Sequence, residues 1–312
     1  MERNDRKMMK VNCVVVTYNR LNLLKECLSA VESQTYPVHK IIVVDNCSTD
    51  GTAEFLDSLS GNEQYMIIRP GKNIGGSGGF SLGLKTSVLA GCDYTWMMDD
   101  DTIPSALALE KLAEATGLDP NTGFVCSQVN WTDGTPHVMN KVALIEEHGE
   151  PPTASDGKLS ACRCKCCTFV SVLVNTQAVL RVGLPIKEFF IWCDDIEYTV
   201  RIFRAGYACF YVAESVVTHK THSNYSPHIH EAPESVAWKF YYQARNRCYL
   251  KHRSVKSKLV FYLSVWNMYR IYRHRIAKRK DGKEKKFLEA VKKGCKDGLT
   301  FYPEIEYVHP QH

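Results

Sequence analysis

Three consecutive carboxylates, Asp99, Asp100 and Asp101, directly follow the apolar run Trp96-Met97-Met98. Alternate residues of an extended chain point the same way, so Asp99 and Asp101 share one side. Two carboxylates on one side repel unless a cation lies between them or one is protonated. Hard oxygen ligands suit Mg2+ or Mn2+, and such sites also recruit substrate phosphates as ligands. The plain alternative is a solvated acidic turn capping a helix after Pro104, which the apolar run before the triplet disfavours. A second signal is the stretch 72–80, KNIGGSGGF, where Gly75, Gly76, Gly78 and Gly79 surround Ser77. Read as a loop, it lets backbone amides approach a polyanion closely. Its glycines are paired, unlike a dinucleotide fingerprint, and no Walker lysine-serine pair follows.

A second acidic pair, Asp194-Asp195, lies in FIWCDDIEY and opens a helical pattern, where the helix dipole favours carboxylates. Functionally, one of the two could be a general base that removes the proton of an attacking alcohol. Trp192 reads equally well as a sugar-stacking ring or as core. His219, in VVTHKTH, stands at a strand end, where a histidine can complete a metal shell or contact a diphosphate; His222 is the reserve. Arg245 and Arg247 present guanidinium groups suited to phosphate, or to a surface helix. Cys162, Cys164, Cys166 and Cys167 lack the paired spacing of a zinc site and read as strand residues.

These residues need elements to hold them. Val11–Thr17 and Lys40–Asp45 are β-branched runs of the kind buried in parallel sheets. Residues 65–69 and 94–98 continue the series as strands. Helical spacing covers 21–33, 52–59, the stretch from the glycine run to about 90, and 107–115. Strand and helix in alternation imply right-handed βαβ units on a mainly parallel sheet. Ligands then bind beyond the carboxyl ends of the strands, where Thr17, Asn19, Asp45, Asn73 and the aspartate triplet all fall. Further strands are expected at 125–130, 167–174, 209–212 and 215–218, and helices at 176–182 and 194–205. Residues 141–160 read as a loop, and the chain is mostly helical from about 236.

The 312 residues are 45% hydrophobic and 23% charged, which excludes global disorder. Net charge is +5, yet residues 251–296 alone hold 16 Lys and Arg against three Asp and Glu. Such a block implies an anionic partner, such as a phospholipid surface, a pyrophosphate-linked lipid or nucleic acid. The apolar stretch 259–268 is too short to span a bilayer, but its aromatic residues and basic flanks suit a membrane interface. The 13 irregularly spaced cysteines, and a charged start with no secretory leader, read as a cytoplasmic chain, peripheral on the inner face of the plasma membrane.

The motifs VVVTYNR, IIVVDNCSTDGT, MDDD and DDIEYTVR, taken in order, resemble the family 2 glycosyltransferases across about residues 10–250. NIGGSGGF and WCDDIEY are most similar to the bacterial galactofuranosyltransferases. The resemblance implies an α/β, Rossmann-like GT-A domain over 1–235 and a helical, basic C-terminal region over 236–312. It implies an inverting, metal-dependent transferase using Mn2+ or Mg2+. The expected donor is UDP-galactofuranose and the expected acceptor a hydroxyl of a cell-surface polysaccharide or lipid-linked glycan. By position, Thr17, Asn19 and Asp45 would line the uridine pocket. Asn73, Gly75, Gly76, Gly78 and Gly79 would border the ribose, diphosphate and donor sugar. Asp99, Asp101 and His219 would hold the metal, with Asp99 and Asp100 also beside the donor. Asp195 would be the base, Asp194 would orient a sugar, and Trp192 would meet the acceptor. Cys193 between Trp192 and the acidic pair departs from the family pattern. Rival readings are a rhamnosyl or other hexosyl donor, or a nucleic-acid-binding protein using the basic block, for which no recognised motif is present.

Overall fold

A computed structural model describes residues 8–145, 159–224 and 228–309. The chain opens with the expected alternation: β1 (Val11–Thr17), α1 (Leu21–Glu32), β2 (Lys40–Asp45), α2 (Thr52–Ser58), β3 (Tyr65–Ile68), α3 (Gly75–Leu89) and β4 (Tyr94–Asp99). There follow β5 (Thr102–Pro104), α4 (Ala108–Ala115), β6 (Thr122–Asn130), β7 (Ala143–Leu144), β8 (Ala161–Cys166) and β9 (Val172–Asn175). Next come α5 (Thr176–Val182), α6 (Asp194–Arg204), β10 (Ala208–His219) and the terminal helices α7 (Lys239–Ser254), α8 (Lys258–Ile276) and α9 (Glu284–Gly298).

The strands form one sheet in the order β3-β2-β1-β4-β9-β6-β10-β8-β7, with β5 paired to β10. β1 pairs in parallel with both β2 and β4, and β2 with β3. The far half is mixed, because β9 runs antiparallel to both β4 and β6. Period-2 alternation sorts the side chains. Val11, Cys13 and Val15 face one layer, built from α1, α2 and α4. Val14 and Val16 face the other, built from α3, α5 and α6. Both faces of β1 are therefore buried, which is why the stretch 13–16 is continuously apolar and the buried Asn12 amide donates to Ser87 O.

A separate apolar cluster joins α7, α8 and α9 through Phe240, Phe261, Val265, Phe287 and Val291. The chain then returns to the first layer system. Leu184 N donates to Glu306 O at 2.8 Å, and Glu306 pairs with Lys85 and Lys187. Among the described residues no helix is long and apolar enough to cross a membrane.

Three expectations differ. The glycine run is not a loop: α3 starts at Gly75, inside it. Asn73 Oδ1 accepts from Gly75 N at 2.8 Å and starts the turn. A β-carbon on Gly79 would lie 2.6 Å from Val16, and one on Gly83 2.4 Å from Val14. The glycines thus bring the helix close to the sheet. The stretches 209–212 and 215–218 form one strand, β10, with a register shift between Val212 and Val216. The cysteine-rich run forms β8 up to Cys166, and the next strand starts only at Val172. Most of the expected loop at 141–160 lies outside the described residues.

Gly83→Ala tests the close approach. Alanine ordinarily favours a helix by about 1 kcal/mol. Here the clash should win, so denaturant unfolding should show a loss of about 1–3 kcal/mol. A stabilised variant would refute the packing argument.

Candidate functional site

The site is built at the carboxyl ends of β1, β2 and β4. In register, Thr17 sits beside Asp45 and Val16 beside Asp99. Thr17 Oγ1 donates to Asp100 Oδ2 at 2.7 Å, and Tyr18 N donates to the same oxygen at 3.3 Å. Asp45 is buried and accepts from Ser48 N at 2.9 Å, with Arg69 3.8 Å away. Asn19, with φ of 54°, accepts from Thr49 N at 2.7 Å and so ties the loops after β1 and β2 together. Asn46 extends the tie, donating to Gly75 O and accepting from Ile74 N.

The acidic triplet meets β10 at His219. One donor atom each from Asp99, Asp101 and His219 falls within 4.8 Å of the others. His222 is exposed and outside this group. His219 Nε2 lies 3.1 Å from Asp101 Oδ1, yet that buried oxygen completes no hydrogen bond of regular geometry. Two carboxylates and an imidazole, with a buried acceptor left over, fit a divalent cation. Asn140 Oδ1 faces His219 Nδ1 at 2.8 Å, while its amide nitrogen donates to Thr168. That arrangement puts the ring proton on Nδ1 and leaves Nε2 as the ligand atom. His137 lies over the ring, with centroids 4.7 Å apart.

The charges explain the partners. Burial first, then repulsion from Asp101, raises the Asp99 carboxyl to about 7. Burial also raises Asp100 to about 6, with Arg20 opposing. Burial pushes Asp101 upward too, but His219 and Arg20 outweigh it and hold it at about 2. His219 shows the reciprocal effect: burial lowers it, and Asp101 raises it further. Arg20 bonds to both Asp100 and Asp101. Lys239, from the start of α7, also feels Asp99 and Asp101 and stands 5.8 Å from the Trp192 ring centroid.

The second acidic pair reaches the same place on α6. Asp194 is buried and Asp195 half-buried. Burial, then Asp194, raises the Asp195 carboxyl to about 8, and Asp99 adds to the effect. Burial also raises Asp194, partly offset by the nearby Ser77 hydroxyl. The loop before α6 is bent: Phe190, Trp192 and Cys193 all have positive φ, at 65°, 65° and 71°. Such backbone needs outside support. The buried Asn246 amide donates to the carbonyls of Phe189, Ile191 and Trp192. Ser77 N donates to Phe190 O at 3.1 Å, and a β-carbon on Gly75 would lie 2.2 Å from that oxygen. The glycine turn thereby meets the acidic loop directly.

Several roles shift. Arg245 donates to the carbonyls of Glu188 and Phe189, and Arg247 to the Tyr272 hydroxyl, so both brace the fold instead of facing the acidic cluster. Trp192 packs edge-on against Phe240 at 5.2 Å while remaining partly exposed. Arg20, Asn46, Ser77, Asn140, Lys239 and Asn246 have no assigned role in the sequence reading. Arg20, Asn46 and Ser77 lay inside quoted motifs. Asn140, Lys239 and Asn246 had no local signal, because their partners are distant in sequence.

Solved structures share this architecture. GalNAc-T7, crystallised with UDP, GalNAc and Mn2+, superposes with a TM-score of 0.58 at 16% identity, over 84% of this chain and 55% of that one. A mannosyltransferase from Pyrobaculum calidifontis, in complex with GDP-Man and Mn2+, gives 0.55 at 15% identity, over 93% and 74%. The fold is GT-A. Residues 13–175 match the profile described as glycosyl transferase family 2, and the chain belongs to that family of glycosyltransferases. It is 28% identical over 207 residues to galactofuranosyltransferase GlfT1 of Mycolicibacterium smegmatis, covering 63% of this chain and 66% of that one. Poly-beta-1,6-N-acetyl-D-glucosamine synthase of Staphylococcus aureus is 26% identical over 210 residues, covering 64% and 47%. The chain thus spans about two thirds of the first relative and half of the second.

Three outcomes follow from the geometry. Mn2+ at about 100 times its Kd should stabilise the protein by about 2.7 kcal/mol in thermal unfolding. Asn140→Ala should weaken Mn2+ affinity about 10–100-fold, and an unchanged titration would remove Asn140 from orienting His219. Asn246→Ala strips three carbonyls of a donor and should cost about 1–3 kcal/mol in denaturant unfolding.

Proposed function

We propose that the chain is an inverting, metal-dependent glycosyltransferase that moves galactofuranose from UDP-galactofuranose to a hydroxyl of a cell-surface polysaccharide or lipid-linked glycan. The single observation that carries the reading is convergence: Asp99, Asp101 and His219 group together, and Asp195 feels the Asp99 charge. The galactofuranosyltransferase relatives support the choice of sugar. In this reading residues 1–235 form the catalytic domain and 236–312 a helical region near the acceptor. The protein works in the cytoplasm, against the inner face of the plasma membrane.

Asp99, Asp101 and His219 would hold Mn2+ or Mg2+, which supplies Lewis-acid stabilisation to charge on a departing diphosphate. Thr17, Asn19 and Asp45 line the uridine side. Asn73, Gly75, Gly76, Gly78 and Gly79 border the ribose, diphosphate and donor sugar, with Asp100 near the donor. Lys239 and Arg20 add positive charge beside the diphosphate. Trp192 meets the acceptor, and Asp194 orients a sugar. Asp195 accepts the acceptor hydroxyl proton as that oxygen bonds to the anomeric carbon. The bond from that carbon to the diphosphate oxygen breaks on the opposite face, which inverts the configuration.

A carboxyl raised toward neutrality suits a general base, because proton affinity then matches the working pH. The sign is definite. A raised pKa keeps Asp195 protonated, and inactive, at lower pH. Activity as kcat/KM should therefore rise with pH through the region near 8 and level off above it. Asp195→Asn should keep Mn2+ and UDP binding but lose transfer by about 10²-fold or more. Near-normal turnover would remove Asp195 from the role, and transfer surviving chelation would remove the metal. A nucleotide-sugar screen by thermal shift and donor hydrolysis decides the sugar; preference for a rhamnosyl nucleotide would overturn the galactofuranose assignment.

A further inference from the structure

Helix α8 has one face that packs and one that does not. Phe261, Val265, Met268, Tyr272 and Ile276 are buried against α7 and α9. Leu259, Tyr262, Leu263 and Trp266 are exposed by 67%, 51%, 55% and 58%. Their spacing of three and four residues makes them one stripe. Arg270 continues it, with its guanidinium 4.8 Å from the Trp266 ring centroid. The stripe is therefore apolar and aromatic at the amino end of α8 and cationic toward the carboxyl end.

Beside the cationic end lies a cleft of about 450 Å³ between α7 and α8, lined by Arg247, Lys251, Asn267, Tyr272 and Arg275. A neighbouring hollow is edged by Arg270, Arg273, His274 and Lys278. Helix α8 contains no Asp or Glu. Among the described residues, Arg253, Lys256, Lys258, Arg270, Arg273, Arg275 and Lys278 form no ion pair. Unpaired guanidinium groups around a cleft, next to exposed aromatic and aliphatic side chains, match a surface that is anionic outside and apolar beneath. A second copy of the chain would set cation against cation and does not match.

We propose that the exposed face of α8, with the α7–α8 cleft, docks on an anionic phospholipid bilayer. Leu259, Tyr262, Leu263 and Trp266 enter the interface, and the cleft receives lipid phosphates. The same helix α7 starts at the candidate site with Lys239 and reaches the cleft at Lys251, about 18 Å along its axis at the helical rise. The docked face would thus hold the acceptor edge of the site close to the bilayer. This inference deepens the membrane location proposed above and does not rest on the donor or the metal assignment.

The test is co-sedimentation of the full chain with vesicles, without donor or metal. Partition should be about tenfold stronger onto phosphatidylcholine mixed with phosphatidylglycerol than onto phosphatidylcholine alone, and should weaken with salt. Leu263→Glu with Trp266→Glu should abolish partition while leaving the thermal midpoint unchanged, since both side chains are solvent-facing. Arg273→Glu with Arg275→Glu should erase the preference for the anionic vesicles. Equal partition onto both vesicles, or apolar-face variants that bind like the parent, would overturn the proposal. So would a dimer that these substitutions dissolve in the absence of lipid. Loss of vesicle binding would remove the membrane location proposed above but leave the transfer chemistry untouched, and failure of donor transfer would leave this surface untouched.

Discussion

Three carboxylates crowded at the end of β4 are the constraint around which the site is organised. Two are buried outright and the third is partly covered. Such a group cannot hold full negative charge out of water without compensation. Arg20 meets Asp100 and Asp101 from the loop after β1, and His219 meets Asp101 from the end of β10. These partners lie on opposite sides of the triplet in sequence. The demand for positive charge is therefore a reason for the parallel half of the sheet and β10 to meet at one edge.

The same demand is met differently at Asp194 and Asp195. No lysine or arginine forms an ion pair with them among the described residues, so burial raises both carboxyls, and repulsion from Asp194 raises Asp195 further. That is a costly local state, and it sits beside another, a loop with three non-glycine residues at positive φ. The surrounding structure over-determines the loop from two sides. Asn246 and Arg245 hold its carbonyls from α7, and the start of α3 closes on Phe190. The helical C-terminal region is thus part of what shapes the acidic loop, beyond being appended to the α/β layers.

The glycines of α3 show how one sequence feature serves two purposes. Gly79 and Gly83 have neighbours on the sheet close enough to exclude a β-carbon, so they set the distance between α3 and β1. Gly75, at φ of 74°, lets the first turn press against the Phe190 carbonyl. Gly76 faces open space. Close packing and an accessible amino-terminal turn therefore come from the same nine-residue stretch, Gly75 to Gly83, and sequence alone does not separate the two uses.

Much of the fold was legible in the residues because its signals are local. Buried parallel strands need continuous β-branched runs, and β1 and β2 were readable to the residue; helices on the flanks need a 3.6-residue apolar period, and α5 was readable in the same way. The acidic triplet, His219 and the Asp194-Asp195 pair were visible as types and positions. Their grouping was not, since 120 residues separate Asp99 from His219 and only strand order decides that β10 ends beside β4's continuation. The role of Arg245 stayed open between phosphate and a surface helix for the same reason: a guanidinium looks alike whether it meets phosphate or a backbone carbonyl. Asn140 and Asn246 carried no signal, because an amide acquires meaning only from the groups it faces. Sequence determined the elements and the chemical kinds of group available. Tertiary structure alone decided which of those groups share a dielectric environment, and with it which are charged, which are paired and which are left over to bind something else.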